Sequence, residues 1–372
     1  MNESHTLREI RQQPRVWRKA YDIVVSRKEE ISEFLSRYIK DGYQVILTGA
    51  GTSAYIGDAL EHAFRGTLLS GARSLATTDI LTNPSLYFGA ESKVLLISFA
   101  RSGNSPESVG AVKAVESTAG KTAHIFITCN PEGELARTKG ANILTLLLPP
   151  ETNDVSLAMT SSYSTMLLVC SMIANIDKIE AQKSYIDTLA NAVQGVLDNC
   201  EESIRAIAAK PFHRAVFLGS GPLKGVAEEG RLKLQELTDG AVMCAFDSFL
   251  GFRHGPKAVV HPDTLMVYFV SDIPEVLRYE RDLIQQVAAG SPNAGAVVVC
   301  RRRSDIDLPE NEDLCVEIGL PKGFPACYGC VSYVVVAQLL GCFKSIECGL
   351  CPDTPSISGN ISRVVEGVTL YI

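Results

Sequence analysis

No basic stripe and no run of lysine and arginine longer than Arg301–Arg303 stands out, and the net charge is −7 over 372 residues. A nucleic-acid surface needs clustered cations, so that class is excluded. No apolar run nears the ~20 residues that cross a bilayer, and residues 1–40 are too charged for a signal peptide; no membrane partner is expected. The serine-hydrolase elbow G-x-S-x-G and the zincin motif H-E-x-x-H are both missing. Gly120-Lys-Thr122 resembles the end of a Walker A loop, but Val115 stands where its first glycine is required, and the segment precedes an apolar run instead of following one. An acidic chain can still hold an anion locally, through backbone N–H groups.

Hydrophobic residues make up 46% of the chain and charged residues 21%, enough for two domains with cores of their own. Two stretches look like one unit written twice. Val45-Ile-Leu-Thr-Gly-Ala-Gly-Thr-Ser53 and Ala215-Val-Phe-Leu-Gly-Ser-Gly-Pro-Leu223 both run into helical patterns, with Gly49 and Gly219 standing 170 residues apart. Later apolar runs keep that offset to within a residue or two: Lys93–Ser98 with Thr264–Phe269, His124–Thr128 with Ala294–Val298, Ile143–Pro149 with Leu314–Pro321. Arg73–Ala76 is a further short run in the first copy. Short apolar runs alternating with helical periodicity predict an α/β fold with parallel sheets covered on both faces. A helical segment over 1–40, a first domain over 41–205, a second over 206–348 and a tail over 349–372 are expected. A long helical stretch, Ser162–Ala209, links the lobes, and a strand-like run, Val364–Ile372, ends the tail. Chemistry is expected at the strand C-termini.

Gly49-Ala-Gly-Thr-Ser-Ala54 fits the loose dinucleotide fingerprint, but Leu69–Leu75 holds no acid for a ribose, and Gly219-Ser-Gly-Pro-Leu-Lys224 lacks the third small residue. A substrate loop is the better reading, and no cofactor is expected. Ser98-Phe-Ala-Arg-Ser-Gly-Asn-Ser-Pro-Glu-Ser108 is more pointed. It follows an apolar run, and Pro106 suits a first helical turn, so Ser102, Ser105 and unpaired amides gather at a helix N-terminus, a phosphate cradle. Ordinary capping would need only one of these hydroxyls. Leu157-Ala-Met-Thr-Ser-Ser-Tyr-Ser-Thr165 again offers hydroxyls at a helix start, where caps are the simpler reading. Glu229, Lys233 and Glu236 share one helical face, either a solvated ion-pair surface or the home of a general base. His254-Gly-Pro256 and His261-Pro262 are two candidate imidazoles that nothing local separates.

Eleven cysteines, several in apolar contexts (Cys170, Cys300, Cys342), point to a reducing cytoplasm. Cys327, Cys330, Cys348 and Cys351 have the spacing of a zinc ribbon, but Cys327 and Cys330 open an apolar helical run, and the first repeat has Leu157 and Thr160 at the matching places; no metal is expected.

Taken together, Gly49-Ala-Gly-Thr-Ser53, Ala100-Arg-Ser-Gly-Asn-Ser105, Leu157-Ala-Met-Thr-Ser161, Lys233-Leu-Gln-Glu236 and His254-Gly-Pro256 resemble the sugar isomerase (SIS) domain family across nearly the whole chain. Leu7–Pro14 is similar to the segment that leads into the isomerase half of glucosamine-6-phosphate synthase. The resemblance implies two tandem SIS domains, each a flavodoxin-like parallel sheet flanked by helices. It implies that Ser102 and Ser105 hold a sugar phosphate with Arg101 beside them, that Thr52 and Ser53, with Gly51, contact the sugar or the phosphate, that Ala158 and Thr160 line the sugar, that Glu236 moves a proton between C2 and C1 with Lys233 among the substrate-binding residues, and that His254 opens the sugar ring, from a neighbouring subunit if sites are shared. Arg363 falls near a family C-terminal lysine, though further from the preceding proline, and Ala100 replaces a phosphate-binding serine of the synthase relatives. The Ser98–Ser108 string and the tail Pro355–Val365 are most similar to amino-sugar-phosphate deaminase/isomerases. That implies conversion of galactosamine 6-phosphate to tagatose 6-phosphate and ammonia by acid–base chemistry, in a homodimer or higher homo-oligomer with shared active sites. Plain ketose/aldose isomerisation, another amino-sugar phosphate and a non-catalytic sugar-phosphate sensor are the rival readings.

Overall fold

The computed structural model describes residues 3–290, 292–306, 308, 312–365 and 367–371. In the first lobe β1 (Gln44–Thr48), β2 (Arg73–Ser74), β3 (Lys93–Ala100), β4 (Lys121–Thr128) and β5 (Ile143–Leu147) form one parallel sheet in the order β2-β1-β3-β4-β5. In the second lobe β6 (Arg214–Gly219), β7 (Met243–Asp247), β8 (Thr264–Phe269), β9 (Gly295–Cys300) and β10 (Leu314–Glu317) repeat it as β7-β6-β8-β9-β10. Each sheet is a doubly wound, flavodoxin-like arrangement whose strand order reverses between its first and third strands, which opens a crevice at their carboxyl ends.

Side-chain pattern explains the sheets. All of β3 beyond Lys93 and all of β8 are buried, as strands covered on both faces must be. In lobe one Ile46, Val94, Leu96 and Phe126 meet Val109, Val112 and Val115 of the Pro106–Thr118 helix. In lobe two Val216, Met266, Tyr268 and Val298 meet Leu283, Ile284 and Val287 of the Pro274–Ala288 helix.

The repeat extends to backbone angles. Gly51 (φ +53°, ψ −128°) and Gly221 (φ +56°, ψ −128°) are the N-caps of the helices after β1 and β6, a left-handed region that residues with a Cβ avoid. Two residues earlier, a Cβ on Gly49 would lie 2.5 Å from the Ser53 backbone, and one on Gly219 would lie 2.2 Å from that of Leu223. Each glycine lets its helix fold back over its own strand.

The compact units are not continuous in sequence. One gathers Arg15–Asp154, Met159–Ile186 and the tail from Ser362; the other gathers the chain up to Pro14, Val155–Ala158 and Asp187–Ile361. The first helix (His5–Arg11) therefore belongs with the second sheet. Asp353 caps it, accepting from His5 N (2.9 Å), Thr6 N (2.8 Å) and Thr6 Oγ1 (2.9 Å). Glu9 behind it accepts from Val155 N at 2.5 Å.

Three expectations need correction. The stretch Ser162–Ala209 is not one helix: Ser161–Ala174 and Lys183–Ala208 are separated by a tight turn with a kink at Lys178. The described part of Val364–Ile372 forms no strand, and Glu366 and Ile372 lie outside the described residues. One helical stretch, Ala326–Glu347, is long and apolar enough to cross a membrane by composition, but it is largely buried within lobe two, where Gly341 lets it approach the Lys233 backbone.

Candidate active site

In lobe one, β3 delivers Ala100 to the sheet's carboxyl edge, and Arg101–Ser105 turns into the Pro106–Thr118 helix. Gly103 adopts a left-handed φ of +66°, which curls the loop. A second loop braces it: Asn130 Nδ2 donates to Ser102 O (3.0 Å), Glu134 N to Asn104 Oδ1 (2.8 Å) and Leu135 N to Gly103 O (3.2 Å). Ser105 is the N-cap, yet its hydroxyl does not cap the backbone; it donates to Ser108 Oγ at 2.6 Å. Among the described residues Ser102 Oγ accepts only a long bond from Asn104 N (3.3 Å). Two hydroxyls therefore stand at the positive end of a 13-residue helix without serving as its cap. Thr52 and Ser53, both 5% exposed, open the helix after Gly51 in the same lobe.

The second hydroxyl-rich helix start is arranged differently. Asp154, buried, accepts from Thr160 N (2.8 Å), Ser162 N (2.9 Å), Ser162 Oγ (2.6 Å) and Ser161 Oγ (2.5 Å). Asp154 therefore caps this helix start, and the Ser161 and Ser162 hydroxyls are spent on it. Asp154 lies outside the usual capping-box spacing and went unread in the sequence. Arg363 also has structural partners: Nε and Nη2 donate to Asp154 O (2.9 and 2.6 Å), Nη2 to Asn153 Oδ1 (3.0 Å), and its carbonyl accepts from Arg101 Nη2. Arg101, 6% exposed, thus fastens the tail to the base of the cradle. Ala158 is fully buried and belongs to the other compact unit.

In lobe two, Glu229, Lys233 and Glu236 line one face of the Pro222–Leu237 helix. They are not a solvated surface. Lys233 and Glu229 are fully buried, and the Glu236 side chain is 14% exposed. Lys233 Nζ lies 3.3 Å from Glu229 and also pairs with Glu236. Burial alone would push the Lys233 ammonium down, but the two carboxylates outweigh it and the net shift is upward. The lysine stays charged and fixes Glu236 at the rim of an otherwise closed cluster. Glu229 was grouped with these residues in the sequence, but its burial was not legible there.

His254 is exposed, after a short helix (Phe249–Phe252) that leaves the carboxyl end of β7, and Gly255 beside it has φ +121°. Its ring makes no hydrogen bond among the described residues. His261 sits just before β8, at the amino edge of the sheet, where its N–H donates to Thr264 Oγ1. That edge is opposite the crevice, which separates the two imidazoles as the sequence could not. The cysteine pairs cannot share one ion. Cys327 and Cys330 are buried before the 17-residue Val331–Glu347 helix, and Cys348 and Cys351 are exposed beyond its far end, about 25 Å away at 1.5 Å per residue.

The family model of the SIS domain matches residues 38–176, the first sheet and its helices, and with the relatives that follow this shows that the chain belongs to the SIS family. It is 36% identical to the D-galactosamine-6-phosphate deaminase AgaS of Escherichia coli over 98% of this chain and 95% of that protein. It is likewise 36% identical to the AgaS of Shewanella sp. strain ANA-3, covering 98% and 91%. The crystal structure of a tagatose-6-phosphate ketose/aldose isomerase from Escherichia coli superposes with a TM-score of 0.90 at 33% identity, covering 99% of this chain and 96% of that one.

Proposed function

We propose that this enzyme converts galactosamine 6-phosphate and water to tagatose 6-phosphate and ammonia. The similarity to AgaS proteins over nearly full length supports the substrate. In lobe one Ser102, Ser105 and the first-turn amides hold the phosphate, with Thr52 and Ser53 toward the sugar. In lobe two Glu236 takes the C2 proton of the open aldose, made acidic by the C1 carbonyl. Returned to C1, that proton leaves an imine at C2; water adds there, the C2–N bond breaks and ammonia departs. His254 assists ring opening, from a second subunit of a homo-oligomer. No step needs a cofactor: positioning and proton transfer suffice. The cysteines form no disulfide among the described residues, which is compatible with a reducing cytoplasm.

The observation that carries this reading is Lys233, fully buried between Glu229 and Glu236. It orients a single carboxylate that keeps a small solvent-exposed edge, as a proton shuttle requires. The isomerase name of the structural relative favours a second reading, ketose/aldose isomerisation without nitrogen loss. Ammonia and ketose should be followed in parallel from galactosamine 6-phosphate, glucosamine 6-phosphate and tagatose 6-phosphate. Equal ammonia and ketose from the first substrate is the expected result. Aldose formation from tagatose 6-phosphate with no ammonia from either amine selects the isomerase, and binding without turnover selects a sensor.

A further inference from the structure

Lobe two carries a cavity of about 120 Å³ at the carboxyl edge of its sheet. It occupies the place that the cradle holds in lobe one, since β8 corresponds to β3 and the Pro274–Ala288 helix to the Pro106–Thr118 helix. The chemistry has changed. Where lobe one has Arg101-Ser-Gly-Asn-Ser105, lobe two has the shorter Ser271-Asp272-Ile273. An acid and an isoleucine replace the hydroxyls, so a phosphate would meet a carboxylate. Much of the wall is hydrocarbon, including Leu223, Ile273 and Phe324.

The polar floor contains Ser220, Asp272 and Arg301. Arg301 is 5% exposed and ion-paired with Asp272 and, at 3.5 Å, with Asp305. Its Nε nonetheless has no hydrogen-bond partner among the described residues, and a buried donor left without an acceptor is costly. The floor is held in shape by Glu280, fully buried, whose Oε2 accepts from Ser271 N at 2.8 Å and whose carboxyl also hydrogen-bonds Ser220.

We propose that this cavity binds a small aliphatic α-amino acid of the leucine or valine type. The ligand carboxylate accepts from Arg301, its ammonium faces Asp272, and its branched side chain lies against Leu223, Ile273 and Phe324. An anion alone would face the Asp272 carboxylate, and a cation or a hydrocarbon alone would leave the Arg301 Nε donor unmet. A dry cavity of about 150 Å³ takes benzene, so this one suits a branched side chain with the charged head at the mouth. The site lies apart from the residues assigned to the reaction, and it stands whether or not the proposed substrate is correct.

The test is isothermal titration of the intact protein with L-leucine, L-valine, 4-methylpentanoate, isopentylamine and inorganic phosphate. Leucine or valine should bind one per chain, with the singly charged analogues weaker by about tenfold or more. Arg301→Met should abolish that heat. So should Ala326→Trp, which fills the cavity from an exposed lining position, while phosphate binding in Ala326→Trp stays as in wild type and certifies the fold. The proposal is overturned if neither amino acid binds at millimolar concentration, if a singly charged analogue binds as tightly, if Ala326→Trp retains the amino acid, or if phosphate competes with it.

Discussion

The two lobes share strand order, helix placement and even the φ and ψ of their N-cap glycines, yet they carry opposite chemistry. Lobe one places hydroxyls and amides at a helix N-terminus and leaves charge to the ligand. Lobe two buries carboxylates with a lysine on the next helix and puts an acid where the cradle would be. Duplication kept what the backbone needs, namely glycines at Gly49, Gly51, Gly219 and Gly221, and freed the loop residues beyond the strands. Fold-level similarity therefore says where a site sits and nothing about what it binds.

The largest expected effect isolates the acid–base half. Glu236→Gln should lower kcat by about 10²–10⁴-fold while the affinity for inorganic phosphate, read by calorimetry, stays unchanged; normal turnover would remove Glu236 from the reaction. Lys233→Met should destabilise lobe two by about 3–5 kcal/mol, because it leaves buried Glu229 and Glu236 facing each other. Urea unfolding measures the loss, and Glu229→Gln in the same chain should recover part of it.

The lobes should also differ in the sign of their pH response. In lobe one, burial pushes the His124 imidazole from 6.5 down to about 4; its ring is fully buried, and half-exposed Glu116 at 3.3 Å does not offset this. The folded lobe binds that proton less readily than the unfolded chain, so stability is complete above pH 6.5 and falls by about 3 kcal/mol as pH drops toward 4. In lobe two, burial pushes the Glu280 carboxyl from 4.5 up to about 7, against hydrogen bonds from Ser220 and the Ser271 amide and with a small upward push from Asp272. That contribution is complete below pH 4.5 and falls by about 3 kcal/mol as pH rises through 7. Hydrogen exchange should show lobe one loosening first in acid and lobe two toward alkali; Glu280→Gln should flatten the second trend, and an unchanged slope would remove Glu280 as its cause.

On the phosphate side, Ser102→Ala should lower kcat/KM by about tenfold or more through one lost charged hydrogen bond, ~1.5–3 kcal/mol, at unchanged melting temperature. The smallest effect tests sharing between subunits. His254→Asn and Glu236→Gln variants, each nearly inactive, should regain some activity when co-expressed; no recovery would place both groups in one chain's site.

Most of the sheet was legible because parallel strands buried on both faces read as apolar runs, and because a repeat lets one copy check the other. β7 was missed although the 170-residue offset from Arg73–Ser74 points to Met243–Cys244; its exposed Met243 and alternating burial hide it. Ser102 and Ser105 were legible as a cluster, since the hydroxyls, the glycine and Pro106 are contiguous. What could not be read is pairing at a distance. Asp154 satisfying the 160–162 helix start, Arg363 fastened to Asn153 and Asp154, and Arg301 beside Asp272 all depend on which loops the fold brings together. Burial was hidden too: Glu229 and Lys233 have the same spacing whether they face water or the Val331–Glu347 helix.

The discontinuous make-up of the two units bears on how a ribosome delivers them. The His5–Arg11 helix waits for Asp353, and Arg101 waits for Arg363, so neither unit can finish until residues 353 and 363 have emerged. Vectorial synthesis, which lets many multidomain chains mature one part at a time, gives this one no early completed half, and the 353–363 stretch fastens a segment of each.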